Sequence, residues 1–190
     1  MTTFTISVRA PLKGRIVPLG DVPDPMFALG MMGDGLAIEP EVGEVHAPVA
    51  GTVTSVHRRG HAVKVMTDDG AEFLVHVGLE AVALRGAGLV AMVAEGDRVA
   101  AGDLLIRFDL AALAESCGIV TTPVLVTNED AFHVTARKSS GSVDLQDEVM
   151  TVMPIGAEAP PPVERVGRDV VLEMSEGLHA RPAALLAAKA

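Results

Sequence analysis

Two histidines carry the chemistry of this sequence: His76 in "GAEFLVHVG", residues 70–78, and His61 in "GHAVKVMT", residues 60–67. A core strand has no packing need for an imidazole. That side chain is suited instead to nucleophilic and proton-transfer work near neutral pH. The two segments flank "TDDG", and Asp69-Gly70 fits a two-residue hairpin loop, whose positions favour positive φ. That register sets Asp68 opposite Ala71, Val63 opposite His76 and His61 opposite Gly78. His61 and His76 then share a face as diagonal neighbours, with Cβ atoms roughly 7 Å apart, and Gly78 leaves room for a ligand. Phe73, Val75 and Val77 point to the core, and Glu72, Leu74 and His76 form the opposite face. Three readings stay open on spacing alone. One ring accepts a phosphoryl group while the other holds its oxygens; both bind a metal that needs further ligands; or they are unrelated surface histidines.

The elements that must position them are short. "FTISVRA", "GRIVPL", "GLAIEP", "GEVHAPVAGTVTSV", "HAVKVMT", "AEFLVHV", "DLLIRFD" and "TPVLVTN" are rich in Val, Ile and Thr and are bounded by Gly, Pro and Asp. From Thr3 to about Met153 this predicts an all-β antiparallel sandwich or barrel. "DPMFALGM" and "DLAALAESCG" each supply a helical turn or two, with Asp109 as N-cap of the second.

At 190 residues with 49% hydrophobic content the chain can bury a core, an aliphatic one, since aromatics are 3%. A net charge of −10 argues against nucleic acid or an anionic membrane as partner. No apolar run approaches the ~20 residues that span a bilayer, and the N-terminus lacks a signal peptide's basic and apolar regions. A cytoplasmic location is expected. The single cysteine, Cys117, fits a reducing compartment and reads as a buried small hydrophobe.

Composition changes at "PIGAEAPPPVERVGRD", with four prolines and no periodic apolar face. The expected organisation is a β domain over 1–153, a Pro-rich linker over 154–168 and a further element over 169–190. "VVLEMSEGLHARPAALLAAKA" reads as a strand, a loop and a helix start that is too small to fold alone. The chain is therefore expected to be a fragment of a longer polypeptide or a truncated product.

In order, "APLKGRIVPLGDVPDPMFA", "MGDGLAIEP", "VHAPVAGTVTSV", "GHAVKV", "DGAEFLVHVGLEAVALRGAG", "EGDRVAAGDLLIRFDL" and "SGSV" resemble the glucose-type enzyme IIA of the bacterial phosphoenolpyruvate-dependent sugar phosphotransferase system. The resemblance covers roughly Ile6 to Val152. It implies an antiparallel β-sandwich in which His76 accepts the phosphoryl group and His61 hydrogen-bonds it. Both would lie in a shallow depression ringed by apolar residues. It also implies a phosphotransferase component that takes phosphate from HPr, charged by enzyme I, and passes it to a cysteine of a IIB/IIC sugar permease, with no cofactor. Four positions depart from the pattern: Arg59 stands where Thr is typical, Leu74 and Val77 where Phe is common, and Glu80 where Asp is frequent. "EGLHARPAALL" resembles the active-site segment of the phosphocarrier HPr. There His179 would take phosphate at a helix N-terminus and Arg181 would assist. The order IIA–linker–HPr is that of the multiphosphoryl transfer proteins.

Two other functions compete. A biotinyl or lipoyl carrier domain needs a lysine at a hairpin tip, and the nearby Lys64 is in mid-strand, expected to face away from His61. A zinc-binding β module of the peptidase type needs a His-x-His strand, which is absent. Adventitious zinc between His61 and His76, completed by a partner's carboxylate, is compatible with the relay. His46, His57 and His133 read as surface or structural residues, and Asp34 as a turn-former with a scaffold role.

Overall fold

The structure, a computed structural model, describes residues 4–79, 88–145 and 147–156. Residues 157–168 of the expected linker, His179, Arg181 and Glu80 lie outside the described residues, as does the side chain of Cys117, whereas Pro154, expected to open the linker, is the last residue of the strand Glu148–Pro154. Everything below concerns the unit Met1–Ala159.

The strands are β1 (Ile6–Arg9), β2 (Gly14–Pro18), β3 (Asp34–Pro40), β4 (Glu44–His46), β5 (Gly51–Val56), β6 (Ala62–Met66) and β7 (Glu72–His76). They continue as β8 (Leu89–Ala91), β9 (Arg98–Val99), β10 (Leu104–Phe108), β11 (Thr122–Val126), β12 (Phe132–Arg137), β13 (Ser142–Val143) and β14 (Glu148–Pro154). Two short helices interrupt them, α1 (Pro25–Ala28) and α2 (Leu110–Cys117). As expected, the architecture is an antiparallel β-sandwich. An eight-stranded sheet of order β13-β2-β3-β11-β7-β6-β5-β9 shares one core with two three-stranded sheets, β1-β14-β12 and β4-β10-β8. Among the described residues no helix is long and apolar enough to cross a membrane.

The middle of the large sheet is apolar on both faces, and this is what places the site. Along β3, β11 and β7, residues Leu36, Ile38, Val124, Val126, Phe73 and Val75 face the main core. Their neighbours Ala37, Leu125 and Leu74 face a second, smaller cluster with Leu19, Val22 and Phe27. The segment that crosses this back face carries α1, capped by Asp24, whose Oδ1 accepts from Met26 N at 2.8 Å, with Pro25 at the first helical position. Burial on two faces explains why "EFLVHV" and "PVLV" read as continuous apolar runs instead of alternating ones. His76 is the last residue of β7, and Phe27 of the segment covering this face packs against its ring.

Asp34 has the scaffold role expected of it: Arg137 donates to both its carboxylate oxygens, at 2.5 and 2.6 Å, and to Gly35 O at 2.7 Å. The same corner supplies a stability test. A Cβ on Gly35 would sit 2.1 Å from Val124 O and 3.1 Å from Leu125 Cα, backbone atoms of a strand held on both sides. Gly35→Ala is expected to lower stability by about 2 kcal/mol or more. Gly20→Ala, which meets nothing within 4 Å, serves as the control. Urea denaturation checks the pair, and equal midpoints would contradict the close approach.

Candidate functional site

The β6–β7 hairpin does not keep the expected register. Thr67 N donates to Ala71 O and Gly70 N to Thr67 O, so the loop has three residues, Asp68 to Gly70, with Gly70 at φ +93°. Gly70 takes the positive-φ position, as in the three-residue hairpin loops that place Gly there. The pairing moves by one residue: Ala62, not Val63, lies opposite His76, and Val63 lies opposite Val75. One correction follows from the two-residue alternation of a strand: Lys64 shares the face of His76 instead of facing away. Val77 is buried in the main core, as the alternation along β7 predicts.

His61 nevertheless reaches His76, because it lies just before β6 begins. His57 N donates to Ala62 O, Gly60 N donates to His57 O, and Gly60 turns the chain at φ +74°. The expected pair is therefore assembled by a turn and not by strand register. The His61 and His76 rings are 4.8 Å apart, centroid to centroid, at 68°.

Two further rings join them. Phe27 of α1 lies 5.4 Å from His76, and His57 lies 4.0 Å from His61. The sequence reading placed His57 with the structural or surface histidines. It is exposed, yet its ring covers buried His61. His46 and His133 stand apart, His46 half-buried on β4 beside Glu44 and His133 exposed on β12. Met32, Ser55, His57, His61, Ala62, Lys64, Leu74 and His76 line a mostly apolar depression of about 310 Å³. Met26, Leu29 and Met31 beside it are exposed. Arg59, which stands where the pattern has Thr, lines a neighbouring hollow with Gly60 and Leu89.

The protonation states follow from the contacts. Nδ1 of His76 is 2.8 Å from the carbonyl of Gly78. A carbonyl only accepts, so Nδ1 carries the proton and the Nε2 lone pair is left for chemistry. Burial lowers the His76 pKa, partly offset by that carbonyl. His61 is 2% exposed, and its Nδ1 has no hydrogen-bond partner. An orphaned buried N–H is rarer than an orphaned acceptor, which assigns the lone pair to Nδ1 and the proton to Nε2. Burial first, then His76, His57 and Arg59, lower the His61 pKa to about 4.

A pH dependence of stability follows. Between pH 6.5 and about 4 the unfolded chain protonates at this position and the folded one does not, so stability is complete above that window and falls as pH drops through it. The loss is at most about 3 kcal/mol. His61→Gln is expected to remove this share, measured as the difference in denaturation midpoint between pH 7 and pH 4.5. Parallel pH profiles for parent and variant would count against a buried neutral His61.

Among the described residues no group of three or more His, Cys, Asp or Glu is disposed to hold a metal ion, and two imidazoles leave half of a tetrahedral zinc unsupplied.

Comparison with known proteins agrees with this geometry. Residues 6–132 match the family model described as phosphoenolpyruvate-dependent sugar phosphotransferase system, EIIA 1. A glucose-specific EIIA component of Halalkalibacterium halodurans is 48% identical over 133 residues, covering 70% of this chain and 77% of that protein. The β-glucoside-specific EIIBCA component of Bacillus subtilis is 41% identical over 145 residues, 76% of this chain but 24% of that longer protein. Among solved structures, glucose permease IIA from Mycoplasma capricolum superposes with a TM-score of 0.74 at 34% identity, covering 78% of this chain and 96% of the other. The chain belongs to the EIIA 1 family of the phosphoenolpyruvate-dependent sugar phosphotransferase system, and it is a phosphoryl-carrying phosphotransferase component of that system.

Proposed function

We propose that His76 is the phosphoryl acceptor of this carrier and His61 the group that steadies the phosphate. The observation that carries this reading is the contact of His76 Nδ1 with the Gly78 carbonyl, which leaves Nε2 as the nucleophile. Nε2 forms the new bond to phosphorus as the bond to the donor nitrogen of phospho-HPr breaks, the donor ring leaving once protonated on its other nitrogen. The product ring keeps its Nδ1 proton, because a carbonyl cannot take it. It is therefore a phosphoimidazolium, whose nitrogen leaves readily when the phosphate moves on to a IIB cysteine. The protein supplies position and neutralisation, with no cofactor. A zinc ion shared by the two rings would take the Nε2 lone pair of His76, would require the His61 proton to move from Nε2 to Nδ1, and would draw its remaining ligands from a partner.

The exposed Met26, Leu29 and Met31 suit brief docking of HPr and then of IIB. The relatives named for glucose and for β-glucosides are both similar to this chain, which supports a sugar choice made by IIB and IIC and not here. A cytoplasmic location fits partners of this kind. The EIIBCA relative carries its EIIA part within a longer chain. Fusion to HPr, with 1–153 as the IIA domain, 154–168 as linker and 169–190 opening an HPr domain around His179 and Arg181, rests on "EGLHARPAALL" alone.

The test is incubation with phosphoenolpyruvate, enzyme I and a separate HPr, followed by location of acid-labile phosphate in the peptides containing His76 and His179. Phosphate on His76 supports the reading. No label under conditions that charge HPr would sink it.

A further inference from the structure

Lys64 is the residue whose place the sequence reading missed by the largest margin, and its surroundings give it a task. It lies opposite Leu74 on the His76 face, diagonal to Glu72 on one side and to His76 on the other. Among the described residues that line the depression it is the one side chain with a fixed positive charge; the rest are imidazole, hydroxyl or apolar. Its Nζ is 2.7 Å from Glu72 Oε1, and its side chain is 36% exposed.

Glu72 does not need the lysine to keep its carboxylate in place. Thr127 Oγ1 donates to Oε1 at 2.5 Å and Thr54 Oγ1 to Oε2 at 3.3 Å, while Glu72 N is held by Asn128 Oδ1 at 3.0 Å. The carboxylate is a fixed post, and the lysine, on a flexible four-carbon stem, is the movable part. A phosphoryl group added to His76 brings negative charge on three oxygens into a largely apolar hollow, only partly offset by the positive phosphoimidazolium ring. A charge there needs a partner.

We infer that Lys64 leaves Glu72 and becomes a direct ligand of the phosphoryl group when His76 is charged. This inference rests on His76 being the acceptor. Uncharged, the Glu72 pair parks the cation; charged, the phosphoryl oxygens outbid one carboxylate already shared with Thr127 and Thr54. The lysine then stabilises the dianionic phosphoryl form over the monoanionic one. His57, His61 and Arg59 from the 57–61 turn and Asp24 before α1 are the other ionisable groups near the two histidines. They are unchanged in the variants below.

The experiment is ³¹P NMR of the full chain, charged to completion with excess phosphoenolpyruvate, enzyme I and HPr, and titrated with pH. Lys64→Met is expected to raise the phosphoryl titration midpoint by roughly half a unit or more, about a threefold change in the dianion equilibrium. Lys64→Arg is expected to restore most of the parent value. Glu72→Gln, which releases the lysine, is expected to lower the midpoint, and it reads the same contact if Lys64→Met fails to fold. Curves for Lys64→Met and Glu72→Gln that superpose on a parent charged at His76 would overturn this inference and leave the acceptor reading standing. A parent with no phosphohistidine at His76 would overturn both.

Discussion

With His76 replaced by alanine, the chain is expected to fold and to take no phosphate from phospho-HPr onto the β domain, a loss of more than about 10³-fold in rate. Folding survives because His76 is half-buried at the end of β7, and the ladder to Ala62 is made by backbone groups. Activity is expected to be lost, because no neighbour can replace the proposed nucleophile. His61 is 2% exposed, with Nδ1 enclosed, and its Nε2 is the nitrogen assigned the proton. In the parent, the phosphate is expected on Nε2, since Nδ1 is committed to the Gly78 carbonyl. The two phosphohistidine isomers are distinguished by NMR after tryptic digestion at high pH. Phosphate on Nδ1 of His76 would mean that the Gly78 contact opens before transfer, and the tautomer assignment would fall with it. A His76→Ala chain that still carries β-domain phosphate would place the acceptor elsewhere.

The sequence reading brought His61 and His76 together through a register that the structure does not contain. Asp69-Gly70 marks a hairpin tip, but Asp-Gly serves two-residue and three-residue loops alike, and the difference moves every facing residue by one. His61 reached the site through the turn at Gly60. The same one-residue shift put Lys64 on the wrong face in the reading and hid its place in the depression. A finer signal was present: with Thr67 and Ala71 as the closing pair, Val63 and Val65 face Val75 and Phe73, matching apolar to apolar at each step. His57 was unreadable for another reason. It lies outside any strand, and its contact with His61 comes from the turn that follows it. Phe27 was beyond local pattern altogether, since α1 is brought over β7 only by burial of Leu19, Val22 and Phe27 against Leu74 and Leu125. What local sequence did show well were the capped ends: Asp109 Oδ1 accepts from Ala112 N at 3.0 Å at the start of α2, where an N-cap was expected.

Replacing His61 separates taking phosphate from giving it. His61→Ala is expected to label at His76 in the long-time assay, yet to pass phosphate to a IIB domain about 10²–10³ times more slowly, the usual loss when one buried donor to a developing oxyanion is removed. Acceptance needs only the Nε2 lone pair of His76, which the Gly78 carbonyl sets without help from His61. Transfer needs the phosphoryl group held in line while charge builds on its oxygens. The His61 ring, 4.8 Å from His76, is held by burial and by contact with His57, so on the proposed reading its Nε2–H is expected to meet those oxygens without reorganising. Glutamine at position 61 keeps an N–H donor on a similar reach and is expected to recover part of the rate, whereas alanine is not. Rapid-quench measurement of both half-reactions decides the matter. Equal slowing of acceptance and donation would make His61 a structural support of the pocket, and unchanged donation in His61→Ala would remove it from the chemistry.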